Sequence, residues 1–457
     1  MKTYTEPSRL LTVHTSCDVL VVGGGTAGVV AALAAARTGA DTVLIEQSGF
    51  LGGTMHGGVC GVHSFFNNYQ AYGVEKKQLV KGIPGEIAQR MMDRGGCPGH
   101  IPQERGVEHF GVVTTFDREM YKQLAFEMME ESGVRLYMHC FFCDVVKDEE
   151  GNPCGVIIES KNGREVIEAK RIVDTTGDGD VAFRAGCELF PNPEPYTAGM
   201  LFAMANVDIP RLVEYLDSEG VLENLARADK GSDRDPYIRV ATHFHGNDKL
   251  KAMANKLGIW GLFTFSCHEN ELTYVNGSNA EGLENFSPEE LTRVEVETRR
   301  AVTRMSATLK STFPGFERAY VTWTSSQAGI RRTRVIMCEH DLTSDEVENC
   351  ARFPDEIGLY GFHDMAPVRV IKNGGWYGIP YRALVPLKVE NLLVAGRMIT
   401  SDKNAHMSTR NSASCMVQGQ AAGTAAALSV REGVTPRALD PEKLRDRLRR
   451  DGVCLEA

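Results

Sequence analysis

The amino-acid sequence predicts an α/β protein built on a parallel central sheet, and three observations carry that expectation. The run Val19–Val22 is apolar throughout, as a strand covered on both faces must be. It ends in Gly23, Gly25 and Gly28, spaced G-x-G-x-x-G, and passes into an alanine-rich stretch of helical length. A second apolar run, Thr42–Ile45, then closes on Glu46. Strand, glycine turn, helix and strand make a Rossmann-like unit. Later strand patterns predict a small antiparallel sheet inserted into that domain, and a second α+β domain beyond it.

Each element has a local reason. Gly23 permits the tight turn from strand to helix, Gly25 lets a pyrophosphate approach the main chain, and Gly28 lets the helix pack closely on the strand. The helix should run from Thr26 to about Thr38 and stop at Gly39. Its free N–H groups and positive dipole end suit phosphate. Glu46 stands 18 residues after Gly28, where a carboxylate accepts hydrogen bonds from ribose hydroxyls and repels a 2′-phosphate. The unit therefore reads as a dinucleotide site that disfavours an NADP-type ligand.

Asp117 is the expected N-cap of the next helix and Gly133 its stop. The strands "VRLYMHCFFCDVVKD", "CGVIIESKNG" and "EVIEAKRIVDTT", with turns at 149–153 and 161–164, form the expected antiparallel sheet. Ser287 and Pro288 open a long amphipathic helix with a solvated arginine face. Near the C-terminus a strand, Asn391–Ala395, ends at Gly396 and Arg397. A helix over about Ser414–Val430 then carries Gly419, Ala422, Gly423 and Ala426 on one close-packing face. The expected division is a discontinuous nucleotide-binding domain, 1–186 with 384–457, and a substrate or cap domain, 187–383.

The formal net charge of −10 argues against nucleic acid or an anionic membrane as a general partner. No apolar run reaches the roughly 20 residues of a membrane span, and no signal peptide is evident. Twelve scattered cysteines then fit a reducing cytoplasm. Cys140 and Cys143 form a lone CxxC and read as buried strand residues rather than metal ligands. No metal site is expected. The pair His243 and His245 in "THFHG" alternates on a strand with no acidic partner nearby in sequence and reads as structural.

A second glycine-rich loop, "EQSGFLGGTMHGGVCGV", begins at Glu46 and implies main chain lying against a ligand longer than an ADP half. With "DVLVVGGGTAGVVAALAAARTGADTVLIEQSGFLGGT", "IVDTTGDGDVAFRAG", "GIPYRALVPLKVENLLVAGRMIT" and "CMVQGQAAGTAAALSVREGV", the chain resembles the FAD-dependent oxidoreductase family. The resemblance is to a family within the glutathione-reductase-like flavoprotein superfamily, distantly similar to fumarate reductase and succinate dehydrogenase flavoproteins. It implies FAD, bound non-covalently. It places the contacts on Gly23, Gly25, Thr26, Ala27, Gly28, Glu46, Gln47, Gly52, Gly53 and Thr54, with Gly177, Asp178, Gly396 and Arg397 as further ones. In "DTTGDGDV" two carboxylates beside the glycines would repel phosphate, so that turn reads as a close approach to the same FAD, with Asp178 available to hydroxyls.

Flavin chemistry needs polar groups near N5. His56 in the second glycine loop, Arg331 in "SSQAGIRRTRV", and His406 and Arg410 ahead of the last flavin-facing helix are the candidate catalytic residues; His63, His243 and His245 are weaker ones. No second dinucleotide domain and no CxxxxC near the flavin are present, which sets aside a pyridine-nucleotide disulfide reductase. The expected reaction is hydride transfer between a small organic substrate and flavin N5, with dehydrogenation favoured. The alternatives are a fumarate-reductase-like reduction of an activated alkene and a non-catalytic flavin electron-transfer subunit. The electron partner stays open among oxygen, a quinone, a carrier protein and a second small molecule. The substrate and the oligomeric state, a homo-oligomer included, stay open as well.

Overall fold

A computed structural model describes residues 2–53, 62–107, 111–191, 196–228, 236–283, 286–362, 371–372 and 374–456. The first strand, Thr12–Val22, pairs in parallel with Thr42–Glu46 on one side and with Gly163–Asp174 on the other. Arg135–Met138 extends the parallel set beyond Thr42–Glu46, and Leu392–Val394 extends it beyond Gly163–Asp174. Val19, Leu20 and Val21 are fully buried, with the helices Thr26–Arg37 and Ser412–Glu432 both packed against their strand.

The expected antiparallel sheet is a continuation of this same sheet. Gly163–Asp174 is 12 residues long. Its first half pairs antiparallel with Pro153–Ser160, which pairs with Phe141–Lys147. Its last residues pair in parallel with Leu392–Val394. One strand therefore belongs to both pairings, which short separate strand patterns could not reveal.

Helix Thr26–Arg37 packs on helix Ser412–Glu432. A Cβ on Gly419 would lie 2.2 Å from the Ala27 carbonyl oxygen, and one on Gly423 2.0 Å from that of Ala31. The small-residue face is thus a main-chain contact between helices. Asp117 caps Arg118–Glu131 through the N–H groups of Glu119 and Met120, and Ser287 caps Pro288–Thr312 through that of Glu290.

A second sheet of 11 strands among the described residues is built mainly from segments between Tyr196 and Ile330. Pro288–Thr312 packs against its longest strand, Glu271–Leu283, burying Val294, Val302, Met305 and Leu309. Three strands from earlier in the chain, Val62–His63, Ile101–Arg105 and Val112–Thr115, complete that sheet at one edge. The larger hydrophobic core draws on residues from Cys17 to Cys187 and again from Ile336 to Leu455. The smaller one runs from Ala198 to Ala328. No helix among the described residues is long and apolar enough to cross a membrane.

Candidate active site

The carboxyl ends of the parallel strands finish in register. Val22 lies opposite both Ile45 and Asp174, and Val394 opposite Asp174. Just beyond that row come Gly23–Gly28, Glu46, Thr175–Asp178 and Gly396–Arg397, so segments far apart in sequence meet at one crevice. Main-chain bonds stitch them: Gly23 donates to Ile45 O at 2.9 Å, Thr175 to Val22 O at 3.0 Å and Ala395 to Asp174 O at 3.0 Å. A crevice outside the strand ends is where ligands bind in open α/β sheets.

The three glycines of the turn play different parts. Gly23 takes φ +98°, and a Cβ on it would meet Thr175 O at 2.8 Å. A Cβ on Gly28 would come within 1.8 Å of Gly23 O. Around Gly25, by contrast, a Cβ would find nothing nearer than 3.9 Å. The first and third glycines are demanded by the protein's own packing, and the middle one borders open space. Helix Thr26–Arg37 starts there with no side chain capping it and no acid in its first turn, leaving its positive end to a ligand. Thr26 and Ala27 are both buried.

Glu46 is half-buried at the tip of its strand. Its two oxygens accept from the N–H groups of Gly24 and Ser48, each at 2.7 Å. A carboxylate has about four acceptor sites, so both oxygens keep capacity for hydroxyls. Gln47 beside it is exposed. The second glycine loop closes on the first, with Gly52 N donating to Gly24 O at 2.7 Å. A Cβ on Gly53 would sit 2.9 Å from the Gly25 Cα. Thr54 and His56 lie outside the described residues.

At the opposite rim the structure revises the reading of "DTTGDGDV". The two carboxylates do not stand bare: Asp178 is paired with Arg397, and Asp180 with Arg334 at 2.7 Å. Arg334 also donates to Asp178 O at 3.1 Å, and Thr333 to Gly177 O at 3.3 Å. The charge that would repel phosphate is thereby offset, and Asp178, engaged by a guanidinium, still keeps acceptor sites for hydroxyls.

His406, in the short helix Lys403–Thr409 capped by Asp402, is buried beside this rim. Its Nε2 donates to Arg331 O at 3.0 Å, so the ring's lone pair sits on Nδ1, which is buried without a partner. Burial, then the charges of Arg332 and Arg410 and more weakly Arg397, push its pKa well below the ordinary imidazole value, with the bond to Arg331 acting the other way. It is neutral at pH 7. Arg331 reaches the ring through its carbonyl, while its guanidinium meets Thr197 Oγ1 at 3.4 Å. The charge weighing most on the ring belongs to buried Arg332, whose Nη2 donates to Ser401 O at 3.1 Å. Arg410 ends the short helix, and Ser412–Glu432 starts two residues later with no side-chain cap. Burial pushes the Cys415 thiol up to about 12, although nearby Arg397 and Arg410 pull the other way, which places both guanidiniums beside that helix's first turn.

Sequence reasoning missed three residues here. Arg332 was one arginine among neighbours, and only burial singles it out. Thr175 Oγ1 bonds Val22 O and Gly23 O at 2.9 and 2.7 Å and locks the glycine turn to the next strand. Gln418, inside the last long helix, accepts from Gly396 N at 2.8 Å and donates to Thr409 O at 2.8 Å. A polar residue amid the alanines of that helix was the available signal.

The cysteine and histidine readings fare differently. Among the described residues every cysteine is free; Cys140 is buried and Cys143 half-buried. The view that His243 and His245 have no acidic partner is wrong. Glu223, 20 residues earlier, places its carboxylate 2.6 Å from His243 Nδ1 and 3.2 Å from His245 Nδ1. The partner comes from across the second sheet, which spacing along the chain does not show.

The comparisons with known proteins agree with this geometry. Residues 18–448 match the family described as FAD dependent oxidoreductase. The chain belongs to that family. It is 27% identical over 257 residues to a vinyl phenol reductase of Lactiplantibacillus plantarum, covering 51% of this chain and 49% of that protein. It is also 37% identical over 117 residues to the tRNA uridine 5-carboxymethylaminomethyl modification enzyme of Dichelobacter nodosus, covering 25% of this chain and 17% of that one. The chain thus spans about half the length of the first of these relatives and less of the second. A geranylgeranyl bacteriochlorophyll reductase-like structure from Thermoplasma acidophilum shares the fold, with TM-score 0.52, 14% identity, and 95% of this chain and 84% of that one covered.

The crevice fits the cofactor. It combines an open space over Gly25, an uncapped helix start and a carboxylate with spare acceptor sites. Two buried polar atoms at its far rim, Arg397 Nε and His406 Nδ1, have no hydrogen-bond partner among the described residues.

Proposed function

We propose that this oxidoreductase moves a hydride between a small organic substrate and the flavin N5, in the dehydrogenating direction. When bound, FAD supplies a two-electron carrier at that atom. The main chain of Gly23, Gly25, Thr26, Ala27 and Gly28 would hold its diphosphate. Glu46 and Gln47 would hold the ribose, with Gly52, Gly53, Thr54, Gly177, Asp178, Gly396 and Arg397 along the rest. We propose the accompanying division into an FAD-binding part, 1–186 with 384–457, and a substrate part, 187–383. Ile336 and Ile357 pack in the larger core, which supports an earlier return to the FAD-binding part.

The observation that carries the reading is His406: neutral, buried, its Nδ1 lone pair unpaired, and surrounded by arginine charge. The Nδ1 lone pair of such a ring can accept a hydrogen bond from a substrate hydroxyl while the hydride leaves the adjacent carbon, and the surrounding guanidiniums stabilise negative charge that develops on that oxygen. Arg331 and Arg410 are the proposed anion anchors, and His56 a substrate-side group. Reduction of an activated alkene is the second reading, favoured by the likeness to a vinyl phenol reductase.

Anaerobic mixing of the yellow holoprotein with a panel of hydroxy acids, alcohols and amines tests the first reading. Bleaching by at least one compound, lost in His406→Ala with FAD still bound, is the expected result. A panel that leaves the flavin oxidised, together with rapid reoxidation of chemically reduced enzyme by a vinyl phenol or an enoate, would replace dehydrogenation by alkene reduction.

A further inference from the structure

We propose that Glu223, His243 and His245 form a binding site for a divalent transition-metal ion that prefers nitrogen and oxygen donors, zinc(II) above all. One donor atom from each residue lies within 4.8 Å of the other two. Glu223 Oε2 is 2.6 Å from His243 Nδ1, and Glu223 Oε1 is 3.2 Å from His245 Nδ1. The two imidazoles stack, centroids 5.1 Å apart and planes at 14°, so both Nδ1 atoms can address one carboxylate from the same side. Tetrahedral zinc at ordinary bond lengths needs donors about 3.3 Å apart. The two measured separations, 2.6 and 3.2 Å, fall just short of that value, and the exposed His245 ring has room to turn outwards to reach it.

The site is supported from outside. Phe244, between the two histidines, is fully buried with φ +60°. A bulky residue in that conformation is strained, and the surrounding structure must hold it there. The N–H of Phe244 donates to Thr242 Oγ1 at 2.7 Å, helping to fix the bend. Phe263 and Trp260 flank the His243 ring, with centroids 4.8 and 5.9 Å away. An ionised carboxylate with two imidazoles satisfies three tetrahedral positions and leaves the fourth to water. On binding, each ring gives up the Nδ1 proton it shares with Glu223, to Nε2 in a neutral ring or to solvent from a charged one, and turns the freed Nδ1 lone pair to the ion, so no redox step is involved.

The test is calorimetric titration of the chelator-treated holoprotein with zinc(II), followed by zinc-edge X-ray absorption of the loaded sample. We expect one equivalent bound through a nitrogen and oxygen shell, with affinity falling about 10-fold or more in both His245→Ala and Glu223→Gln. His245 is exposed and Glu223→Gln keeps the side chain's shape, so both variants should retain FAD content and metal-free melting temperature. A sulfur shell near 2.3 Å, meaning that the free cysteines take the ion, would overturn the site. So would the absence of saturable uptake, or unchanged affinity in His245→Ala.

Discussion

The two rims of the flavin crevice are built on opposite plans. The rim at Gly23–Gly28 is made of main chain: glycines, an uncapped helix start, and one carboxylate that enters from the neighbouring strand. The rim at His406 is made of side chains, Arg332, Arg397 and Arg410 around one neutral ring, delivered by separate segments. The first plan tolerates almost no change of shape and carries little net charge. The second holds its shape through packing and owes its character to charge. Steric substitutions should therefore damage the first rim, and charge substitutions the second.

The largest effect should come from the turn. In Gly28→Ala the new Cβ would come 1.8 Å from Gly23 O and 2.7 Å from Thr175 Oγ1. Overpacking of that kind costs typically about 1–3 kcal/mol, occasionally more, and the upper end is expected in urea unfolding. Gly25→Ala meets nothing within 3.9 Å, so it should cost about 1 kcal/mol at most while evicting FAD. Equal loss of stability in both variants would break the distinction between packing glycine and ligand glycine.

The next effect is on the carboxylate that the main-chain rim borrows. Glu46→Ala should weaken FAD binding about 10- to 100-fold, the value of a hydrogen bond to a charged group. Flavin fluorescence titration reads it, and an unchanged affinity would move the ribose elsewhere.

The smallest effect concerns a side-chain pair away from both rims. His268 and Asp117 are hydrogen-bonded, and that bond raises the His268 pKa. Burial works to raise the Asp117 pKa, but His268 and two main-chain N–H groups outweigh it and lower the carboxyl. The His268 contribution is full below its unfolded pKa and fades as pH rises through the raised folded value. The Asp117 contribution is full above its unfolded pKa and fades as pH falls through the depressed one. His268→Ala should thus cost no more than about 1 kcal/mol at mildly acidic pH, since the imidazole is half exposed, and nothing in alkaline buffer. A cost that persists in alkaline buffer would show packing rather than charge.

The same contrast explains what the sequence could reveal. Gly23, Gly25, Gly28 and Glu46 act through spacing along one continuous stretch, so fold class and nucleotide turn were legible there. Asp117, Ser287 and the glycines of the last long helix were legible for the same reason, because caps and close approaches are local events. The partnership of Arg397 with Asp178 spans 219 residues, and that of Glu223 with His243 crosses a sheet. Neither leaves a periodic trace. The choice of Arg332 over Arg331 as the charge at His406 depends on which side chain is buried, a fact of packing. The continuity of the two pairings through Gly163–Asp174 depends on one long strand exchanging an antiparallel neighbour for a parallel one along its length.

Leu392–Val394 has a consequence for biogenesis. It takes its place against Ile172–Asp174 more than 200 residues after that strand has been made. On the ribosome, at roughly 5–20 residues per second, the nascent chain therefore waits some tens of seconds with that groove open and its apolar lining wet. The crevice at the strand ends can close only after residue 394 has been made, so a ligand held there is captured after that point, and the chain made only to the first of these strands is the form most in need of a chaperone.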